Sequence, residues 1–266
     1  MTATVRDVAQ AIETFAPLEL QESYDNSGLV VGSPEMPVSG VLLAVDVTEE
    51  VIEEAKSVGA NLIVTHHPII FHALKRLNSQ NYVARCVEEA IRSCIALYAC
   101  HTNLDSAPHG MSWNLGDILS LKDMQVLEPH SAKELGAGFG VVGNLDDEQS
   151  LDDFMAFVAD RLSLSTMRHS KPINRRVSKV AICTGAGASL IELVREAKAD
   201  VYITADLKYN DFMEPAESFT VLDIGHFESE YCAIELLNSI LSKKMFNFAV
   251  RKSDYSCNPV YYQWFK

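Results

Sequence analysis

The sequence contains two adjacent histidines followed by a proline, a combination that can ligate metal ions. His66 and His67 come after the apolar run at 62–64, and Pro68 cannot continue the hydrogen bonds of a sheet. Side chains that are adjacent on a strand point to opposite faces. The segment therefore predicts two diverging imidazoles at the carboxyl end of a strand, each able to reach a different metal ion.

Two later segments combine histidine with carboxylate in the same setting. The segment HTNLD (101–105) follows the apolar run ALYAC, and GHFESE (225–230) follows TVLDI. If a helix begins near residue 227, His226 and Glu230 have the i, i+4 spacing that places two side chains on one helix face. Taken alone, HTNLD is also compatible with a turn, and GHFESE with the capped start of a helix.

Five residues of these segments make three imidazoles and two carboxylates, the ligand set of a two-metal centre with open positions for water. Asp105 or Glu230 could bridge the two ions. Zn, Mn, Fe, Co and Ni all suit mixed imidazole and carboxylate ligation, so the residues predict two divalent ions per chain without choosing the element. The predicted metal ligands are His66, His67, Asp105, His226 and Glu230.

These segments require strands whose carboxyl ends lie close together, because parallel sheets place their ligands at that edge. Apolar runs at 38–48, 61–68 and 94–105 alternate with amphipathic helical patterns at 49–59 and 80–93. Thr48 is a suitable cap for the first of these helices, and Gly59 a suitable end. The alternation predicts a largely parallel sheet covered by helices.

The chain changes character after residue 130. The segment 131–150 is rich in glycine and polar residues, and the strand and helix patterns then resume. Helices are predicted at 151–164, 188–199, 207–219 and 228–243, and strands at 177–187, 200–206, 219–227 and 246–253. We therefore predict two α/β units, with residues 1–128 and 222–266 forming the first and 129–221 the second.

Composition excludes some classes of protein. The 266 residues include 22 Lys and Arg against 36 Asp and Glu, which gives a net charge of −14. This balance weighs against nucleic-acid binding through a broad basic face, and the absence of an 18-residue apolar run weighs against a membrane span. Six cysteines without a CxxC pair indicate buried free thiols in a reducing cytoplasm: Cys86, Cys94, Cys100, Cys183, Cys232 and Cys257.

The three histidine segments, in this order, resemble the Nif-three-like dinuclear metal proteins, which include GTP cyclohydrolase 1 type 2 homologues. The segments YDNSGLVVG (24–32), GAGFGVVGNL (136–145) and VYITADLKYND (201–211) also resemble that family. The resemblance implies two similar α/β domains with mixed sheets flanked by helices, a metal site in the cleft between them, and a homohexamer built as a trimer of dimers. It assigns the same five metal ligands.

The resemblance also concerns residues beside the metals. It matches His101 to a histidine next to the ions, and Asp25 is a second candidate to orient a ligand, although Asp25 and Asn26 could also simply form a turn. Two positions depart from the family pattern, because Ala205 replaces a common glycine and Asn210 a common histidine. No catalytic residue beyond the metal centre is predicted.

Two functions remain open from the sequence. The first is a dinuclear metal-dependent hydrolase that acts on a nucleotide-like small molecule, with GTP ring opening and formate release as the reaction that the family label implies. The alternative is a non-enzymatic hexamer that binds a metal or cofactor or acts as a chaperone-type protein. A weaker signal, CTGAGAS (183–189), could cradle a phosphate with backbone amides.

Overall fold

The computed structural model describes residues 2–130, 136–173, 175–213, 215, 218–244 and 247–264. The first part of the predicted glycine-rich segment, residues 131–135, and positions 214, 216, 217 and 246 of two predicted elements lie outside these residues. The chain divides into two compact units. The first comprises residues 1–103 and 233–266, and the second comprises residues 104–232.

The first unit contains a five-stranded mixed sheet in the order β1-β4-β3-β2-β11. Three of its strands, β2, β3 and β4, are parallel to one another, and β11 is parallel to β2. Strand β1 runs antiparallel to β4, so the beginning of β1 lies beside the end of β4. The bounds of the strands are β1 Gly28–Val31, β2 Gly40–Ala44, β3 Leu62–Thr65, β4 Ala96–Ala99 and β11 Ala249–Lys252.

Helices α1 (Val5–Glu13), α2 (Glu49–Val58) and α3 (Tyr82–Arg92) belong to this unit. The ends of α2 follow the predicted signals. Thr48 accepts a hydrogen bond from the amide of Val51, and Gly59 adopts the left-handed conformation (φ +73°) that ends the helix. The apolar faces of α2 and α3 pack with Leu42 and Ile63 in one core, which fixes the strands that carry the histidines.

The second unit contains a six-stranded mixed sheet in the order β5-β6-β8-β9-β10-β7. Strands β8, β9 and β10 are parallel, and β5, β6 and β7 add to this core with antiparallel pairings. The bounds of the strands are β5 Lys122–Pro129, β6 Gly138–Ser150, β7 Arg168–His169, β8 Arg176–Ala186, β9 Val201–Ala205 and β10 Thr220–Asp223.

Among the remaining helices, the two that start at Leu151 and Cys232 have 11 residues each, and the others are shorter. Helices α5 (Met111–Ile118), α6 (Leu151–Arg161), α7 (Ile191–Glu196) and α8 (His226–Glu230) belong to the second unit. Helix α4 (Thr102–Ser106) and helix α9 (Cys232–Ser242) each contain a boundary of the two units. The predicted long helix at 228–243 is therefore two helices, and α8 begins at His226 itself.

Two other expectations differ from the structure. The helix predicted at 207–219 is wrong in the described residues, where only a 3-10 turn at Tyr209–Phe212 forms. The contacts also group residues 104–128 and 222–232 with the second unit, whereas the sequence pattern placed them with the first. The physical reason is strand pairing, because β5 pairs with β6 and β10 pairs with β9. The predicted return of the last strand to the first unit is observed in β11.

The predicted fold class is confirmed. Each unit is a mixed sheet flanked by helices, and the strands that precede the histidines are buried parallel strands. In the described part of the chain, no helix is long and apolar enough to cross a bilayer.

Candidate metal centre

His66 is held at the end of β3 by the strand beside it. Its Nδ1 lies 2.8 Å from the carbonyl oxygen of Cys100, the residue that follows β4. A carbonyl oxygen can only accept a hydrogen bond, so Nδ1 carries a proton and Nε2 is the nitrogen left to bind a metal ion. The whole residue is buried. A buried imidazole fixed in this tautomer is suited to ligate a metal through Nε2.

His67 is held from the other side of β3. Its Nδ1 lies 2.8 Å from Oδ1 of Asp46, which follows β2 on the neighbouring parallel strand. A carboxylate on one nitrogen fixes the ring and makes the other nitrogen a better ligand. The hydroxyl of Thr65 also donates to the carbonyl oxygen of His67 at 2.8 Å, which fixes the backbone of the histidine pair.

His101 follows β4 and is held by Asp25, which precedes β1. Its Nδ1 lies 2.7 Å from Oδ1 of Asp25, whose side chain is fully buried. The carboxylate also accepts hydrogen bonds from the amide and hydroxyl of Thr102 and from Asn26 and Ser27. Burial by itself would raise the pKa of Asp25, but the hydrogen bonds from His101 and Thr102 and the charge of His101 outweigh it and hold that pKa well below its usual range.

These three histidines form one cluster in the first unit. One ring nitrogen from each of His66, His67 and His101 lies within 4.8 Å of the other two. The ring centroids are 5.0–5.5 Å apart. Three imidazoles at this separation form a donor set that suits a transition-metal ion.

In the second unit, His226 is held in the same way. Its Nδ1 lies 2.8 Å from Oδ2 of Asp206, which follows β9, the parallel neighbour of β10. Asp206 has φ +56°, a left-handed conformation that aspartate tolerates better than most residues. Gly225, with φ +92°, turns the chain from β10 into α8.

Glu230 lies next to the second nitrogen of this ring. Nε2 of His226 is 2.9 Å from Oε2 of Glu230, one helical turn later, and the Glu230 side chain is almost completely buried. A lone pair and a carboxylate oxygen this close require a cation or a proton. Two ligands on one metal ion, each about 2.1 Å from it, would lie roughly 3 Å apart. The pair therefore has the separation expected of two ligands on one ion.

Gly185 leaves the space that Glu230 occupies. It has φ +64°, and a Cβ on this residue would lie 2.3 Å from Oε1 of Glu230. Its amide donates to the hydroxyl of Ser229 at 2.9 Å, which attaches α8 to the end of β8. The amide of Gly187 donates to Thr204. Both amides already have partners, so neither is available for the weakly signalled phosphate cradle at 183–189.

Asp105 lies half-buried on α4. Its charge and that of Glu230 both affect the pKa values of two buried thiols. Burial raises the pKa of the Cys183 thiol to about 12, and the charges of Asp105 and Glu230 add to that rise. Burial and the same two carboxylates raise the pKa of Cys232 to about 12. Both carboxylates therefore act on the same two buried thiols of the second unit.

The structure brings the predicted residues together within each unit. The first unit groups His66, His67 and His101, and Asp25 contacts His101. In the second unit His226 contacts Glu230, and Asp105 acts on the same buried thiols as Glu230. Asp25 accepts hydrogen bonds both from Nδ1 of His101 and from the amide of Asn26. The roles of these residues as metal ligands stay a prediction.

Sequence reasoning missed Asp46 and Asp206, the carboxylates that hold His67 and His226. A signal for them exists in the sequence, because each follows an apolar strand directly. Once β2 pairs with β3 and β9 with β10 as parallel neighbours, the residue that leaves one strand lies beside the histidine that leaves the next.

Comparisons with known proteins identify the family of this chain. A family model described as Duf34/NIF3 (NGG1p interacting factor 3) matches residues 3–259. A Clostridium perfringens protein named "GTP cyclohydrolase 1 type 2 homolog" is 35% identical over 228 residues, which are 85% of this chain and 87% of that protein. A Lactococcus lactis protein of the same name is 32% identical and covers 97% of this chain and 98% of its own length.

A solved structure has the same fold. The crystal structure of the Staphylococcus aureus hypothetical protein SA1388 superposes with a TM-score of 0.91 at 27% identity, covering 99% of this chain and 100% of that chain. The family model spans nearly the whole sequence, and curated relatives exceed 30% identity over most of their length. The chain therefore belongs to the Duf34/NIF3 family.

Proposed function

We propose that this protein is a dinuclear metal-dependent hydrolase that acts on a nucleotide-like small molecule. The name of its relatives, GTP cyclohydrolase 1 type 2 homolog, makes GTP ring opening with release of formate the specific reaction to test. In this proposal His66, His67, Asp105, His226 and Glu230 hold two divalent ions. His101 and Asp25 support that centre.

One observation carries the proposal. In each of four histidines, Nδ1 faces an oxygen acceptor: Cys100 for His66, Asp46 for His67, Asp25 for His101 and Asp206 for His226. Nδ1 of His169 also lies 2.8 Å from a carbonyl oxygen, so what distinguishes these four rings is their grouping with other ligands. Ring nitrogens of His66, His67 and His101 lie within 4.8 Å of one another, and Nε2 of His226 lies 2.9 Å from Glu230. An Nδ1 held by an oxygen acceptor is the arrangement by which proteins present Nε2 to a metal ion.

The chemistry divides between the ions and the chain. When bound, divalent ions polarise a substrate oxygen and make water more acidic. The chain would hold the ring of His67 through Asp46 and the ring of His226 through Asp206, and His66 and Glu230 are each buried away from bulk water. The exposed edge of His226, whose side chain is 37% accessible, leaves an approach for substrate.

A second candidate is a non-enzymatic protein that carries metal or binds a partner. The description of the matching family as an interacting factor favours it, because that name refers to association and not to turnover. The same five ligands would serve a carrier equally well.

Elemental analysis together with an activity screen tests the proposal. Wild type, His66→Ala/His67→Ala and Glu230→Ala would be purified without chelator, with His169→Ala as a control imidazole on β7. The screen would cover GTP, other nucleotides and generic phosphoesters. We expect about two ions per chain in wild type and His169→Ala, fewer in the other variants, and one activity that is lost with the metal.

The possible results discriminate between the two functions. Two ions with no turnover on any compound would favour the carrier or partner-binding protein. Less than about one ion per chain in wild type would contradict the hydrolase and the metal carrier and leave partner binding.

We further propose that the protein is a homohexamer, arranged as a trimer of dimers, in the cytoplasm. The hexamer rests on the family resemblance, and the cytoplasm on the free thiols. Light scattering would test the assembly, because a hexamer has six times the 29.4 kDa mass of the chain.

A further inference from the structure

Two exposed aromatic side chains lie beside the histidine cluster of the first unit. The rings of Phe71 and His101 are 5.9 Å apart at 81°, and those of Tyr24 and Phe71 are 6.4 Å apart at 65°. Both rings remain accessible, Tyr24 at 64% and Phe71 at 39%. Single exposed aromatic residues are common on protein surfaces. A contacting pair that also touches a histidine of a candidate metal centre is a more specific arrangement.

The same segments that build the cluster also hold this aromatic pair. Tyr24 directly precedes Asp25, the buried carboxylate that orients His101. The side-chain amide of Asn26 donates to the carbonyl oxygen of Ile70 at 2.7 Å, which attaches the segment before β1 to the loop that carries Phe71. Hydrogen bonds next to Tyr24 and next to Phe71 thus hold both rings in place before a planar ligand binds.

The loop beyond Phe71 has an unusual charge for this protein. Residues 55–87 contain no aspartate or glutamate, although the whole chain carries 36 of them. Lys75 and Arg76 lie exposed on the loop, four and five residues after Phe71. Within the described residues, no ion pair involves either side chain. An acidic protein that omits carboxylates here and exposes two cations is suited to attract an anion to this surface.

We propose that Tyr24 and Phe71 form a stacking platform for the planar ring of the substrate, and that Lys75 and Arg76 bind its anionic group. The inference deepens the proposed function, on which it rests for the metals beside the platform. The substrate class that fits is a phosphorylated planar heteroaromatic compound, such as a nucleotide. Aromatic side chains stack on any base, so the platform selects a flat ring and not a particular base.

Binding measurements with three probes separate the two halves of this proposal. Calorimetric titration of the metal-loaded protein would use GTP, guanosine and inorganic triphosphate. We expect Tyr24→Ala and Phe71→Ala each to weaken GTP and guanosine by about 10- to 100-fold and to leave triphosphate unchanged. The double variant Lys75→Ala/Arg76→Ala should weaken GTP and triphosphate and leave guanosine unchanged.

Matched variants guard against indirect effects. Tyr24→Phe keeps the ring and should bind GTP as wild type does, whereas an equal loss in Tyr24→Phe and Tyr24→Ala would contradict stacking. Tyr261→Ala removes another exposed tyrosine of the first unit, 89% accessible, and should change nothing. Each variant is compared with wild type in metal content and melting temperature.

The outcomes distinguish this proposal from the hydrolase itself. If wild type binds neither GTP nor guanosine, or if both alanine variants bind them normally, the platform is overturned even when metals and turnover are present. If guanosine binding depends on Phe71 but no compound is turned over, the platform is supported and the hydrolase is not.

Discussion

Nδ1 of His226 lies 2.8 Å from Oδ2 of Asp206, a residue twenty positions earlier in the chain. The two residues leave parallel neighbouring strands, β10 and β9, at the same edge of the sheet. Nε2 of the same ring faces Glu230 at 2.9 Å. The imidazole is therefore fixed by one carboxylate and paired with another, which makes Asp206 a positioning residue for the candidate ligand.

Replacing Asp206 should weaken metal binding without removing a ligand. Loss of a carboxylate that holds a ligating histidine typically reduces affinity by about 10- to 100-fold. We expect Asp206→Ala to show a loss in that range, measured by competition with a chelator of known affinity, and Asp206→Asn to show a smaller one because an oxygen acceptor remains.

Asp160→Ala provides the control for charge. Asp160 is an exposed aspartate of the second unit on α6, so its removal changes the net charge equally. Equal affinities in Asp206→Ala and Asp160→Ala would show that the contact with His226 does not support the metal.

Gly185→Ala should displace Glu230. The added Cβ would lie 2.3 Å from Oε1 of Glu230, and φ +64° strains any residue with a side chain. We expect loss of bound metal together with a decrease of about 1–2 kcal/mol in the free energy of unfolding. Elemental analysis and chemical denaturation measure the two effects.

Gly59→Ala separates strain from steric conflict. Gly59 has a similar φ of +73°, and no atom lies within 4 Å of the Cβ that would be added. This variant should lose a similar amount of stability and keep its metal. If Gly185→Ala also keeps its metal, Glu230 is not confined by this glycine.

The carboxylate of Asp25 should make stability depend on pH in the metal-free protein. Its pKa is held below the ordinary value, so its contribution is complete above the unfolded pKa of about 3.9 and is lost as the pH falls below that value. Asp25→Ala leaves several buried donors without an acceptor and should cost at least about 2 kcal/mol at pH 7.

Urea denaturation of wild type and Asp25→Asn between pH 6 and pH 2, in the presence of chelator, measures this dependence. The difference in unfolding free energy between them should shrink as the pH falls below about 4. A difference that stays constant over this range would mean that the ionised form of Asp25 is not the stabilising one.

Thiol accessibility should divide the six cysteines. Cys94 and Cys257 are exposed, whereas Cys86, Cys100, Cys183 and Cys232 are buried. Burial raises the pKa of Cys86 to about 11, and the other shifted thiols, Cys183 and Cys232, have pKa values of about 12, so these groups stay protonated and unreactive near neutral pH.

Iodoacetamide labelling followed by peptide mass spectrometry measures this division. The native protein should be alkylated at Cys94 and Cys257, and the remaining four sites should react only after unfolding in guanidinium chloride. Rapid labelling of Cys183 or Cys232 in the native protein would contradict the burial of β8 and of the start of α9, the helix that follows Glu230.

Local sequence patterns sufficed to predict features that depend only on neighbouring residues. Helix α2 begins after Thr48 and ends at Gly59 as predicted, because caps and helix ends depend on neighbouring residues. The i, i+4 relation of His226 and Glu230 was also visible, since a helix fixes that spacing by itself. Where local signals were weak, prediction failed, as in the helix expected at 207–219.

Partners from distant parts of the chain required the tertiary structure. Asp46 and Asp206 acquire their roles only when β2 pairs with β3 and β9 with β10, and Asp25 reaches His101 only because β1 runs antiparallel to β4. Strand order depends on long-range packing, which no local pattern specifies. Residue types and their spacing identify which side chains could ligate a metal, whereas the pairing of distant strands sets which oxygen holds each imidazole.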